Sequence, residues 1–405
     1  MIRKYFHEET KRNFSIAVIW INGGSNMDNN GKRGINHILC SLITRGCKGF
    51  DNLALSDFLE SYGGELNYEV LEDGMSISIK SLNSHFKKLF PLLNLIIKEP
   101  ILSEQEFHKV KKSTLNLIRK EKENPFNICY EKWRKIVYSK HPYAFNTAGY
   151  EEDISNISYN DVLLEYEDFK GRNKYLISNN SEIKNECLED SNITNFKEDI
   201  NSPKNFLDKK LRFASSHIET NQVIIMLGNQ TCSRKSEEFL PLKILESYLS
   251  FGMSSVLFKL FREKNGITYD VGVLNSIKRG NSPFCVYLSV SNKNALLAFE
   301  LLITIWNQIL SSVISDEEIN LAKKKLISSF LMGNQFLDEI LQRKIQLISY
   351  GLSPNYEENY ISKLKDITPE NILGLTKKHF AKSFLSITGN KKICCSIYNK
   401  WIKDS

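Results

Sequence analysis

Residues 58–70, FLESYGGELNYEV, lead into MSISIKSL at 75–82, then FKKLFPLLNLIIK at 86–98, then Ser103-Glu-Gln-Glu106. Residues 260–273, LFREKNGITYDVGV, lead into FCVYLSVS at 284–291, then ALLAFELLITIWNQIL at 295–310, then Ser315-Asp-Glu-Glu318. The two stretches follow one plan. Each has a tight glycine turn (Gly63-Gly64, Gly266), a run of strand length, and a run with apolar residues at helical spacing. Each closes on a tetrad that fits the capping box, in which Ser accepts from a first-turn amide and Glu reaches back. A third match ends each copy: ISNISYNDVLLEYEDF from Ile154 and LKDITPENILGLTKKHF from Leu364, with Ser158 and Thr368 as N-caps and Pro369 in the first turn. Three matches in the same order mark an internal duplication.

Each copy reads as strands, helix, strands and three further helices. The glycine turns suit antiparallel hairpins better than crossover connections. The expected class is α+β: two similar domains, each a mostly antiparallel sheet with helices packed on one face, able to face each other across a cavity. Residues 178–210 are rich in Asn, Ser, Asp, Glu and Lys and have no sustained apolar period, so they read as a linker. The chain thereby divides into residues 1–178, a linker at 179–212, and residues 213–405.

Composition narrows the class. Of 405 residues, 41% are hydrophobic and 25% charged, which excludes a disordered, collagen-like or rod-like chain. The net charge of +7 is a small excess of 54 basic over 47 acidic residues, and it marks no nucleic-acid partner. Eight cysteines, none in C-x-x-C spacing, are too sparse for a disulfide scaffold and read as reduced thiols. Phe14–Ile21 (FSIAVIWI) is followed by NGGSNMDNN and not by a small-residue cleavage site, so it reads as a buried strand. No apolar run approaches the ~18 residues of a membrane span, and the expected location is the cytoplasm.

After that strand comes GKRGINHILCSLITRG, residues 31–46. Ile35, Ile38, Leu39, Leu42 and Ile43 form one apolar helical face, with His37, Cys40 and Ser41 elsewhere on the wheel. The strand, the Gly-Ser turn and the spacing up to His37 resemble the start of the insulinase/pitrilysin family of zinc peptidases, most of all its short bacterial branch, which is similar to the mitochondrial processing peptidase. Members carry H-x-x-E-H on this helix: two His hold zinc from one face, and the Glu is the base for the metal-bound water. Here Cys40 stands at the Glu and Ser41 at the second His. A further Glu ligand lies upstream of an acidic-Asn-Pro segment, and alignment on Glu123-Asn124-Pro125 puts Leu117 there. One imidazole and a hydroxyl cannot hold catalytic zinc, so no metal is expected in this chain. A Cys40–His37 nucleophile pair is sterically possible but lacks an orienting third group, and these two residues are too few for a structural metal.

The second copy keeps what the first has lost. GMSSVLFKLFREKNGITYDVGV, from Gly252, resembles the family's C-terminal signature, although Val256 replaces a common Arg. The resemblance implies that Arg262 and Tyr269 reach a peptide held at zinc. A guanidinium and a phenol are suitable donors to a scissile carbonyl and its oxyanion. His141-Pro142-Tyr143 and Gly149 extend the likeness. The resemblance implies a non-zinc subunit of a heterodimeric peptidase, active only with a homologous partner that has an intact H-x-x-E-H and carries the zinc. It would bind a peptide substrate along an exposed strand edge and offer Arg262 and Tyr269 in trans. Two other readings are a structural or peptide-binding pseudoenzyme scaffold and a zinc metallopeptidase active by itself.

Overall fold

The structure is a computed structural model that describes residues 2–8, 10, 12–186, 209–333 and 335–403; most of the expected linker, 187–208, lies outside the described residues. The first half runs β1 (Ile2–His7), β2 (Phe14–Asn22), α1 (Ile35–Ile43), α2 (Asn52–Ser61), β3 (Glu65–Val70), β4 (Gly74–Leu82), α3 (Asn83–Lys98), α4 (Glu104–Glu123), α5 (Pro125–Tyr138), α6 (Glu151–Asn156), α7 (Tyr159–Gly171) and β5 (Lys174–Ser178). The second runs β6 (Phe213–His217), β7 (Gln222–Gln230), α8 (Phe239–Ser250), a π-helix (Phe258–Lys264), β8 (Thr268–Leu274), β9 (Pro283–Ser291), α9 (Ala295–Ser311), α10 (Asp316–Gly333), α11 (Leu337–Ser349), α12 (Tyr356–Lys363), α13 (Pro369–Phe380), β10 (Phe384–Gly389) and α14 (Lys391–Lys403).

The duplication is plain in the sheets. Their strand orders are β1-β5-β2-β4-β3 and β6-β10-β7-β9-β8, and in each only the first pairing is parallel. The fold is α+β with two alike domains. Its caps follow the sequence closely. Ser158 with Asp161, Thr368 with Asn371, and Ser315 with Glu318 close reciprocal boxes. Ser103 makes only half of one, because Glu106 turns instead to Arg45 at 3.1 Å and Lys109 at 2.6 Å.

The described residues form two compact units, within 1–120, 146–196 and 334–354, and within 121–145, 197–333 and 355–405. These differ from contiguous halves by an exchange of two helices. In the first unit, Ala17, Ile19 and Ile21 of β2 join Ile77 and Ile79 of β4 in a core with α1 and α3. The opposite face of that sheet is covered by α11, from the second half of the sequence. Gln342 bonds Glu69 at 2.9 Å, and Tyr350, just past the helix, bonds Asp73 at 3.0 Å and packs edge-on against Trp20. In the second unit, α5 from the first half covers the corresponding face. Cys129, Trp133 and Val137 pack on Ile224, Met226, Cys285 and Phe384, and the Trp133 indole donates to the Phe384 carbonyl at 3.2 Å.

This second covering explains why β2 and β7 are continuous apolar runs and not alternating ones: both faces are buried. Segment Asn292–Ser311 meets the length and mean hydropathy (1.2) of a spanning helix, contrary to the expectation that no stretch would. It is the core helix of its unit, with Ala298, Phe299, Leu302, Ile305 and Trp306 buried. The seven described cysteines are unpaired.

Candidate functional site

The helix that resembles the zinc helix, α1, starts at two glycines that no other residue could replace without strain. Gly34 has φ +93°, and a Cβ there would meet the Ala148 carbonyl at 2.4 Å; Gly149 has φ +84°, and its Cβ would meet the Arg33 carbonyl at 2.1 Å. The Gly149 segment is thus pressed against the turn that opens the helix.

A polar network fixes that opening. The Asp28 carboxylate accepts from the Gly34 amide (2.7 Å), the Asn36 amide (3.2 Å) and the Asn36 side chain (2.8 Å). The Asn36 side-chain oxygen accepts from Arg172 at 2.7 Å, and Arg172 also donates to the Gly23 carbonyl and pairs with Glu165 and Asp168. Enclosure raises the Asp28 pKa to about 6 against the lowering effect of its three donors. Sequence reading missed Asp28, Asn36 and Arg172. The available signal was an Asn at the first turn of an apolar helix; Asp28, six residues before the N-cap, lies beyond local capping range.

The helix itself is buried nearly all round, because it packs against α7 and β3 as well as the sheet core. The expected apolar face is buried, and so are Cys40 and Ser41, which the helical wheel placed off it. Cys40 has no exposed surface, and burial pushes its thiol well above the usual range. A thiol so enclosed supplies neither a thiolate ligand nor a nucleophile. His37 is the one half-exposed residue of α1; burial lowers its pKa, and its ring has no hydrogen-bond partner among the described residues. Leu117 is on α4 in the same unit, 40% exposed, and offers no donor atom. The donor set at the positions the resemblance aligns with the family's zinc site is therefore one imidazole, a neutral buried thiol, a hydroxyl and an alkyl group. It does not fit zinc. No group of three or more His, Cys, Asp or Glu that could hold a metal occurs among the described residues.

Arg262 and Tyr269 stand in the other unit, on adjacent irregular elements. The segment Phe258–Lys264 is a π-helix, a rare form that often marks functional positions. Arg262 is exposed on it, 5.2 Å above the Phe258 ring. Its end is pinned to the next strand by the Ile267 amide on the Phe261 carbonyl (2.9 Å) and by Asn265 on the Leu260 carbonyl (2.8 Å), with Gly266 at φ +57° in the turn. Strand β8 then carries a bulge: Thr268 faces Val290 and Asp270 faces Ser289, leaving Tyr269 as the extra residue. Tyr269 is 67% exposed. Neither Arg262 nor Tyr269 has a hydrogen-bond or ion-pair partner among the described residues.

Residues 5–150 match the family model described as insulinase (peptidase family M16), and residues 179–326 match the one described as the peptidase M16 inactive domain. The chain belongs to the insulinase family. It is 25% identical to an uncharacterized zinc protease of Rickettsia felis over 93% of this chain and 89% of that one. It is 19% identical to the non-peptidase homolog YmxG of Helicobacter pylori, over 91% and 88% of the two chains. Among solved structures, a peptidase M16 inactive domain from Pseudomonas fluorescens has the same fold, with a TM-score of 0.83, 18% identity and coverage of 96% and 95%. This chain is a peptidase-like member of the insulinase family whose first half lacks the zinc-holding set.

Proposed function

We propose that this chain is the zinc-free subunit of a two-chain insulinase-family peptidase, inactive alone and completed by a homologous chain with an intact H-x-x-E-H. It binds an extended peptide and offers Arg262 and Tyr269 to the bond held at the partner's zinc. The observation that carries this reading is a contrast in presentation. In the first half Cys40 and Ser41 are closed into the core and Leu117 offers only an alkyl surface, whereas the second half displays a guanidinium and a phenol with no hydrogen-bond or ion-pair partner among the described residues. Exposed donors left unpaired in the free protein are suited to a ligand that arrives with developing negative charge. Among the described residues both sheets also end in an edge strand, β3 and β8, to which an extended peptide can add.

The match of residues 179–326 to the family's inactive domain, together with the relative named a non-peptidase homolog, supports a second reading as a peptide-binding scaffold without peptidase activity. One experiment separates the two. The purified chain is mixed with a zinc-motif homologue from the same cell, and hydrolysis of a peptide library is followed. The subunit reading expects hydrolysis by the mixture alone, with Arg262→Ala lowering turnover roughly a hundredfold. Peptide binding with no hydrolysis in any mixture would establish the scaffold.

A further inference from the structure

The bulge that turns Tyr269 outward is held by its neighbours. Thr268 is buried, and its hydroxyl lies 2.8 Å from the Asp270 carbonyl and 2.9 Å from the Ser289 carbonyl, so it spans the bulge within β8 and across to β9. On the far side of Tyr269, Tyr287 stands opposite Gly272 across the strands, and burial, with the Asp270 carboxylate nearby, raises its hydroxyl pKa. The Tyr287 ring lies directly over Gly272, where an added Cβ would come within 2.7 Å of its hydroxyl oxygen. Phe126, at the start of α5, packs edge-on against that ring at 5.1 Å. The bulge cannot simply be ironed out, because a one-residue slip would turn Val271 and Val273 away from the core they pack against.

We propose that Thr268 and Tyr287 are positioning residues that hold the β8 bulge and so fix the direction of the Tyr269 phenol. The proposal builds on the reading of Tyr269 as a donor to the scissile bond, but its physical content is separate: the phenol's orientation is set by two side chains that never touch substrate. Thr268→Val removes the hydroxyl while keeping the shape, Tyr287→Phe removes the hydroxyl that lies over Gly272, and Thr268→Ser restores a hydroxyl.

The test uses the full chain labelled with 3-fluorotyrosine, with the Tyr269 resonance identified by its loss in Tyr269→Phe. In Thr268→Val and Tyr287→Phe the Tyr269 fluorine signal is expected to shift or broaden, and in Thr268→Ser to return to the wild-type position. In mixtures with the zinc-motif homologue, the first two variants are expected to lower kcat about tenfold to a hundredfold with KM unchanged, as a displaced group does. Combining either with Tyr269→Phe should add little, since both act through one phenol. An unchanged fluorine signal in both variants overturns the proposal whatever the activity. A mixture that never hydrolyses peptide defeats the subunit reading and leaves the fluorine result to decide the positioning role. A shifted signal with undiminished kcat also overturns the proposal, by showing that the orientation does not matter to the reaction.

Discussion

The helix Ile35–Ile43 and the segment Phe258–Tyr269 are the two regions that the sequence resemblance singles out, and they are built in opposite ways. The first is a regular helix with eight of its nine residues buried. The second runs through a π-helix, a glycine turn and a bulge, and ends on a tyrosine that is 67% exposed. A regular, sealed element has been absorbed into the core. An irregular element whose exposed Arg262 and Tyr269 have no hydrogen-bond or ion-pair partner among the described residues bears a cost that packing alone does not explain. That contrast is what the proposed division of labour requires: the water-activating set closed off in one region, the donor pair displayed in the other.

The most severe challenge to this comparison is to write the family's base back into the first helix. Cys40→Glu would place a carboxylate where no side-chain surface is exposed. It should cost about 4 kcal/mol of stability or force the carboxyl to stay neutral, whereas Cys40→Ala should cost only about 1 kcal/mol. Urea midpoints of the two variants measure the gap. If Cys40→Glu were as stable as Cys40→Ala, the helix would be lining a wet cavity, and the contrast would collapse.

Gly34→Ala comes next. A side chain at φ +93°, with its Cβ 2.4 Å from the Ala148 carbonyl, should destabilise the first unit by about 3 kcal/mol. Gly266→Ala is the matched control in the second region: its φ is +57°, but nothing lies within 4 Å, so about 1 kcal/mol is expected. Thermal unfolding of the pair tests whether the strain at α1 comes from packing as well as from backbone.

Much of this was legible in the sequence. The duplication, the strand at Phe14 and the caps at Ser158 and Thr368 all follow from local pattern, which local hydrogen bonding and period decide. What was not legible is non-local. An apolar face on Pro125–Tyr138 says that the helix needs a partner but not which sheet provides it, so the exchange of α5 and α11 could not be read. The network of Asp28, Asn36 and Arg172 joins residues more than a hundred positions apart. The bulge at Tyr269 depends on the register against β9, which no property of β8 alone dictates.

Asp28 gives a smaller effect, readable by pH. Its pKa of about 6 in the folded chain lies above the ordinary carboxylate value, so the folded state holds the proton more tightly than the unfolded one. The stability from this group is complete below about pH 4 and is lost as pH rises through about 6. The loss should be about 2 kcal/mol at most, since the residue keeps some contact with solvent. Asp28→Asn should flatten that part of the stability–pH curve, measured by urea unfolding between pH 4 and 7. A curve of unchanged slope would mean that the carboxylate is ionised throughout and that α1 opens on a charged cap.

The smallest expected effect sharpens the comparison most. Tyr269→Phe and Arg262→Ala remove exposed groups that have no hydrogen-bond or ion-pair partner among the described residues, so each should change stability by less than about 0.5 kcal/mol. A residue kept for the fold would show its removal in the urea midpoint. A residue kept for a ligand shows it only when the ligand is present. If both variants unfold like the wild type while losing turnover or peptide binding in the mixture, the donor pair serves a partner and not its own domain. A drop of 2 kcal/mol in either variant would instead make the π-helix and the bulge structural features of the second unit, and the asymmetry between the two regions would need no functional cause.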